Sequence, residues 1–332
     1  MLSVICPIFN EEKCIVECIH SIIGQTFPKN ELQVLLVDGM STDKTREIIK
    51  EYEQKYSFIR LIDNPEKTVP FAMNRAIREA KGDYIIRLDA HSVYPQNYFR
   101  ELISWHEKLG DMAWNVGCVC ETRPQEYNKE SVAIAKVMSD KFGVGNSKFR
   151  IGSDEECVET DTVPFGCFKR FVFERVGMYN EKLTRIQDLE LNRRIVAAGG
   201  KIYMISSTKC VYFPRQSYGS FSSNRFMTGR WVVKTLFVTK KFSDLGLRRF
   251  VPMIFVLGVF VPLLLTFFLW PFLLLTLLVL LAYTLCVVYR SCKLCDENTD
   301  LWHLIAAFFC IHFSFGFGSI VGLFDVLFGK NK

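Results

Sequence analysis

The feature that most limits what this chain can fold into is a run of 39 residues, 251–289, without a single Asp, Glu, Lys, Arg or His. A helix needs ~20 apolar residues to cross a bilayer core, so the run is long enough for two. Trp270-Pro271 stands at its middle, and proline cannot extend the hydrogen-bond ladder of a preceding helix. The run therefore reads as spans over 251–270 and 271–289 joined by a very tight turn. A second apolar stretch, 301–328, carries His303, His312 and Asp325, while its Gly316, Gly318 and Gly322 permit close helix packing. It reads as a third span, 303–325, or alternatively as a re-entrant or interfacial helix. Nothing near the two histidines completes a metal set, so they read as packing residues. Arg248-Arg249 just before the first span place the preceding chain on the cytoplasmic side. The expected organisation is a cytoplasmic domain over 1–235, a basic juxtamembrane segment over 236–250 and a multi-pass membrane domain over 251–328, in the plasma or inner membrane.

Charge and cysteine content exclude other classes. The formal net charge is +6, with 41 Lys and Arg scattered among 35 Asp and Glu. No basic stripe marks a nucleic-acid surface, and a cytoplasmic face beside anionic lipid accounts for the balance. The twelve cysteines lie largely inside apolar runs such as 3–7 and 116–120, where Cys behaves as a small hydrophobe. Cys292 and Cys295 form a lone CxxC, with no second pair to make a metal site. Residues 3–6 already read as a strand, so no signal peptide is expected.

The first third alternates apolar runs at 3–6, 33–37, 59–62 and 84–88 with helical patterns, which predicts an α/β domain with a mostly parallel sheet. Ile15, Cys18, Ile19 and Ile22 recur at helical spacing, and Ser41-Thr42-Asp43 supplies an N-cap, at Asp43, for the helix of Ile48, Ile49 and Tyr52. Further on, a strand is expected at 115–120, a helix near 131–142, a helix over 189–198 stopped by Gly199-Gly200, and a strand over 201–205. Ligands of such sheets gather at strand C-terminal ends, which directs attention to 7–11, 38–43 and 89–91.

In Arg87-Leu88-Asp89-Ala90-His91, Asp89 and His91 project to one side of an extended backbone. Together they suit a divalent cation: the carboxylate fits Mg²⁺ or Mn²⁺, and the imidazole tilts the pair toward Mn²⁺ or a softer ion. The alternative is a solvated Asp and a hydrogen-bonded His. Asp38, at a strand end, can accept from ribose hydroxyls or a base N–H. Pro7-Ile8-Phe9-Asn10-Glu11-Glu12 is a similar elbow whose acids are either first-turn dipole partners or nucleotide contacts. Gln187-Asp188-Leu189-Glu190 opens a helix, and the apolar, Gly-containing run Val163-Pro164-Phe165-Gly166 before it suits a surface that receives an acceptor.

Taken in order, these motifs resemble family 2 glycosyltransferases, and among them the membrane-anchored enzymes of succinoglycan-type exopolysaccharide synthesis, over roughly residues 1–230. That branch shows P-x-[FY]-N-E, matched from Pro7 to Glu11, V-D-x-x-S-x-D from Val37 to Asp43, and R-x-D-[AG]-H from Arg87 to His91. V-P-F-G from Val163, R-x-x-F-x-x-x-G from Arg170 and Q-D-x-E from Gln187 follow. Two positions depart from the wider family: Gly39 stands where a second acid is usual, and His91 replaces the last Asp of DxD.

The resemblance implies a GT-A fold and transfer of a sugar from a nucleotide-sugar donor, UDP- or GDP-linked, to a lipid-linked or glycan acceptor at the membrane. It implies donor contacts from Pro7, Phe9, Asn10, Glu11, Asp38, Arg87 and Asp89, a divalent metal, Mg²⁺ or Mn²⁺, at Asp89 and His91, and Asp188 as general base. Phe165, Gly166, Gln187 and Glu190 would face the acceptor, with Arg215 and Arg230 gripping diphosphate. One base and no second nucleophile implies inversion. A processive synthase would carry Q-x-x-R-W, and no Gln stands three residues before Arg230, so one sugar per encounter is expected. The rivals are a nucleotidyltransferase-like enzyme, which would carry a Gly-rich cationic phosphate loop where 7–12 is acidic, and a catalytically silent membrane adaptor that binds nucleotide.

Overall fold

The computed structural model describes residues 1–240 and 247–329, so residues 241–246 of the 236–250 segment lie outside the described residues. The chain forms two compact units, one of residues 1–121 and 148–212, the other of residues 122–147 and 213–332. The sequence drew its boundary at 235.

The first unit is built on nine strands: β1 Leu2–Ile8, β2 Leu32–Asp38, β3 Ile59–Asp63, β4 Tyr84–Arg87, β5 Ser92–Val93, β6 Ala113–Thr122, β7 Cys157–Glu159, β8 Cys167–Lys169 and β9 Lys201–Tyr212. They form one sheet in the order β3-β2-β1-β4-β8-β6-β9-β5, with β7 also paired to β9. The parallel arrangement expected from the sequence holds for β3, β2, β1 and β4. β8 then runs antiparallel to both β4 and β6, and β5 and β7 antiparallel to β9, so the sheet is mixed.

β1 shows why the parallel half was readable. Strands covered on both faces are near-continuous apolar runs, and nearly every residue of β1 is buried. Leu2, Val4, Cys6 and Ile8 face one core with Ile15, Ile19, Ile22, Phe99 and Leu102. Ile5 faces the other, with Leu35, Val37, Met73, Ala76 and Leu191. Alternation along the strand thus serves helices Ile15–Ile23 and Tyr98–Leu109 on one side, and Val69–Glu79 and Gln187–Ala197 on the other.

The second unit contains helices Lys129–Met138, Tyr218–Thr239, Val251–Leu265, Pro271–Leu294 and Leu301–Leu327. The last three are apolar and long enough to cross a membrane, the first when counted from Arg248. Leu301–Leu327 packs backbone to backbone on Tyr218–Thr239. A Cβ at Gly318 would overlap the Phe226 carbonyl, at Gly322 that of Arg230, and at Gly229 that of Phe315. Small residues admit this approach, and an Arg230–Asp325 ion pair closes the seam. Residues 129–142 dock on Pro271–Leu294, the turn after it and Leu301–Leu327: Lys136 pairs with Asp296 at 2.6 Å, Asp140 pairs with Arg290, and His312 Nε2 donates to the Phe142 carbonyl at 2.9 Å.

Candidate active site

Three loops at the C-terminal ends of β1, β2 and β4 converge, as the parallel topology requires. The first two are knitted together by the polar residues of their motifs. Asn10, held at φ 54, donates its N–H to Ser41 Oγ at 2.8 Å and accepts from the Thr42 amide at 2.9 Å. Glu12 accepts from Lys44 N at 3.1 Å, and Asp43 accepts from the amides of Glu12 and Thr45. Asp43 thus both holds the first turn of Thr45–Lys55 and ties it to the neighbouring loop. Asn tolerates the left-handed region better than other non-glycine residues, which explains its place at the bend.

Asp38 is fully buried, with its oxygens engaged by Ser41 and by Arg46, whose Nη1 lies at 2.6 Å and whose Nη2 reaches Asp63 at 2.7 Å. The acid expected to meet ribose is therefore occupied within the protein. Arg46, which carried no motif signal, is the cation it positions. At the neighbouring Gly39 an added Cβ would press on the Phe9 ring and the Lys67 backbone. Phe9 itself is half exposed.

The centre of the site is Arg87, the last residue of β4. The residue is 7 % exposed, and its guanidinium lies between two carboxylates, donating to Asp89 Oδ1 at 2.8 Å and approaching Asp188 Oδ2 at 3.4 Å. Burial opposes its charge, but Asp188 and Asp89 outweigh that and hold its pKa above the usual guanidinium value. The guanidinium also stands over the Phe165 ring, 5.8 Å from its centroid. Phe165 is only 3 % exposed, and its carbonyl accepts from Tyr98 Oη at 2.7 Å. The run read as an acceptor-receiving surface thus supplies, at Phe165, a support beneath Arg87. Gly166 is required there because a Cβ would overlap the side chain of buried Asn115, which in turn donates to Asn192 at 3.0 Å.

Asp188 opens the Gln187–Ala197 helix. Its side chain is half buried, and Oδ1 is enclosed without a hydrogen-bond partner. Desolvation first, then Asp89, push its pKa above the ordinary carboxylate range, with Arg87 pulling the other way. Tyr179 is packed beside this carboxylate, and burial together with Asp188 raises its phenol. The loop carrying Tyr179 is fixed by Asn74, whose amide exchanges hydrogen bonds of 2.9 Å with both the carbonyl and the N–H of Tyr179. Ile186, before the helix, sits at φ 65. For a β-branched residue this is a true outlier, of the kind that persists where surrounding structure over-determines a functional site.

Of the remaining expected residues, Glu190 forms a two-point ion pair with Arg194, which holds the carbonyls of residues 176–178. Gln187 is 7 % exposed. Glu190 thus holds, through Arg194, the loop and helix that carry Asp188, while Gln187 Oε1 is enclosed without a hydrogen-bond partner. Arg215 and Arg230 belong to the second unit, where Arg215 is exposed and Arg230 is paired with Asp325.

His91 approaches Glu11 Oε1 through Nδ1 at 3.2 Å and is more than a third exposed. Among the described residues no group of three or more His, Cys, Asp or Glu is arranged to hold a metal. Asp89 and His91 are nonetheless a fitting donor pair. Mg²⁺ and Mn²⁺ commonly take one or two protein ligands and complete their shell with substrate phosphates, and a ligating His usually presents its other ring nitrogen to a carboxylate. Glu11 stands where that carboxylate belongs.

Comparison with known proteins agrees with the fold. The chain is 31 % identical over 252 residues to the succinoglycan biosynthesis protein ExoA of Rhizobium meliloti, covering 75 % of this chain and 74 % of that one. It is 28 % identical over 247 residues, 74 % of this chain and 76 % of the other, to a Methanococcus voltae dolichyl N-acetyl-α-D-glucosaminyl phosphate 3-β-D-2,3-diacetamido-2,3-dideoxy-β-D-glucuronosyltransferase. Among solved structures, the Pyrobaculum calidifontis mannosyltransferase PcManGT in complex with GDP-Man and Mn²⁺ superposes with a TM-score of 0.60 at 18 % identity, covering 99 % of this chain and 87 % of that one. Residues 3–176 match glycosyl transferase family 2, and with more than half its length in that match the chain belongs to this family and is a glycosyltransferase.

Proposed function

We propose that the protein transfers one sugar at a time, with inversion at the anomeric carbon, from a nucleoside-diphosphate sugar to a lipid-linked or polysaccharide-precursor acceptor, on the cytoplasmic side of the plasma or inner membrane. The observation that carries this reading is the placement of Arg87 between Asp89 and Asp188, with one Asp188 oxygen enclosed and unpartnered. Sugar transfer needs a positive group near the departing diphosphate and a base on the opposite face of the sugar. Asp188 accepts the proton of the acceptor hydroxyl, and its raised pKa brings it closer to working pH. Arg87 holds Asp188 and Asp89 in one geometry and offsets their mutual repulsion.

A divalent cation bound at Asp89 and His91, with Glu11 orienting the imidazole, would supply Lewis-acid neutralisation of the leaving diphosphate. The Mn²⁺ and GDP-Man of PcManGT support this assignment by fold. The dolichyl-phosphate acceptor in the name of the Methanococcus relative supports a lipid-linked one here. Phe9 and Asn10 line the donor side, and Asp38 acts there through Arg46. The test is transfer or donor hydrolysis by purified membranes given a panel of UDP- and GDP-sugars with Mg²⁺ or Mn²⁺. Release of nucleoside diphosphate from one donor, enhanced by acceptor lipid extract, is expected. A protein that neither binds nor turns over any donor in the presence of metal would sink the proposal.

A further inference from the structure

Tyr179 stands beside the reacting groups, and the proposed reaction assigns it no part. Its ring belongs to the core: the residue is buried, shares a cluster with Leu191 and Ile195, and faces Phe173 with ring centroids 6.4 Å apart. A phenylalanine would fill that space as well. The hydroxyl is what needs a reason, because Oη is enclosed with no hydrogen-bond partner, and a buried polar group left unpaired destabilises the fold.

Two further atoms at the site share this condition. Asp188 Oδ1 is enclosed and, while the carboxylate is charged, can only accept; Arg87 Nε is enclosed and can only donate. Both side chains act on Tyr179, Asp188 through direct side-chain contact and Arg87 through its charge. A phenol both accepts and donates, so Oη can take the Arg87 N–H while giving its own hydrogen to Oδ1. Donor, donor–acceptor and acceptor form a complementary set. Burial and Asp188 hold the phenol above its usual pKa, which keeps its proton in place. Hydrogen bonds of this kind are often long in the free enzyme and tighten when substrate is bound.

The scaffold around Tyr179 is built to fix it. Asn74 is buried, ties residue 179 at both its N–H and its carbonyl, and also donates to Glu181 Oε1 at 2.8 Å. Gly177, at φ 80, turns the chain into this loop, and Leu183 anchors it in the interior. Because Oδ1 is enclosed, the exposed third of the Asp188 side chain lies away from it, on the side of Oδ2.

We infer that Tyr179 is a positioning residue for the base: its hydroxyl ties Asp188 Oδ1 into the protein, with Arg87 Nε behind it, so that Oδ2 alone is presented to take the proton of the acceptor hydroxyl. Tyr179 keeps its own proton throughout. The inference rests on the reading of Asp188 as general base, and adds to it which oxygen acts and what holds the other.

The test is Tyr179→Phe in the full-length protein, alone and combined with Asp188→Asn. Donor affinity is measured by calorimetry with Mn²⁺ and the donor that the UDP- and GDP-sugar panel selects, and transfer at saturating donor with acceptor lipid extract. Tyr179→Phe is expected to lower the transfer rate about 10–100-fold, the scale on which lost orientation acts, with donor Kd within about two-fold of wild type. In the Asp188→Asn background the same change is expected to leave the residual transfer unaltered, because groups that act as a unit do not add. Unimpaired transfer by Tyr179→Phe, loss of donor binding in parallel with transfer, or an equal fall in both backgrounds overturns the inference. An inactive Asp188→Asn beside an unimpaired Tyr179→Phe removes this inference alone, whereas normal transfer by Asp188→Asn removes the base reading and this inference with it.

Discussion

Asp188→Asn separates chemistry from binding most cleanly. The substitution keeps shape, and Arg87 retains its 2.8 Å bond to Asp89, so the fold should survive. The lost contact is a 3.4 Å approach between a buried guanidinium and a carboxylate one-third exposed, so the stability loss should lie between the roughly 0–1 kcal/mol of an exposed pair and the ~3–5 kcal/mol of breaking a buried one. The catalytic loss should exceed the exposed-pair figure, because removal of a general base typically costs about 10²–10⁴ in rate, or roughly 3–5 kcal/mol in barrier. Donor affinity should stay close to wild type, since Asp188 acts on the acceptor side. Burial raises the Asp188 pKa, so the acid limb of kcat/KM in the wild type should lie above the ordinary Asp value of ~3.9, and transfer should fall as pH drops through it. The assay is donor titration by calorimetry beside initial-rate transfer across pH. Transfer within about three-fold of wild type, less than 1 kcal/mol of barrier, would refute the base assignment. Loss of donor binding in parallel with transfer would show that Asp188 supports the site without acting on the acceptor.

Three further outcomes are expected. Asp89→Ala should abolish metal-dependent donor binding, whereas Glu11→Gln, which leaves the ligands in place, should weaken metal affinity about 10–100-fold; equal effects would argue against the orienting role of Glu11. Gly166→Ala should cost about 1–3 kcal/mol by overpacking against Asn115, visible as a lower Tm, and unchanged stability would free Gly166 for ligand contact. His106 is buried, its pKa is lowered to about 4 by desolvation, and its Nε2 donates to the Cys167 carbonyl at 2.7 Å. The unfolded chain takes up that proton near pH 6.5 and the native state only near 4, so stability should fall as pH drops through this window, by up to about 3 kcal/mol. A His106→Gln variant should lose that acid sensitivity, measured by denaturant titration at pH 7 and pH 4.5.

The elements legible in the sequence were those whose environment acts on every residue alike. β1 and β2 are covered on both faces, so burial selects an unbroken apolar run, and their ends expose the motif residues because parallel topology leaves room there. The helix expected over 189–198 begins two residues earlier, at Gln187, since acids at a helix start satisfy its dipole without breaking it. Tyr98–Leu109 and the short strand β8 were not assigned from the sequence. The first carries apolar and charged residues in near balance, and the second is three residues long.

Within the site, residue type named the carboxylates but not their partners. Asp89 and Asp188 lie far apart in the chain, and only the pairing of β4 with β8, which seats Phe165 under Arg87, places one guanidinium between them. An apolar Phe looks the same in sequence whether it receives a ligand or fills a core, and an Asp looks the same whether it meets ribose or Arg46. Hydropathy likewise registers that residues 251–289 avoid water, because hydrocarbon excludes charge regardless of topology. It cannot register which backbones approach closely, as Gly318 does at the Phe226 carbonyl and Gly322 at that of Arg230. Those approaches depend on distances between residues remote in sequence, which only the tertiary structure sets.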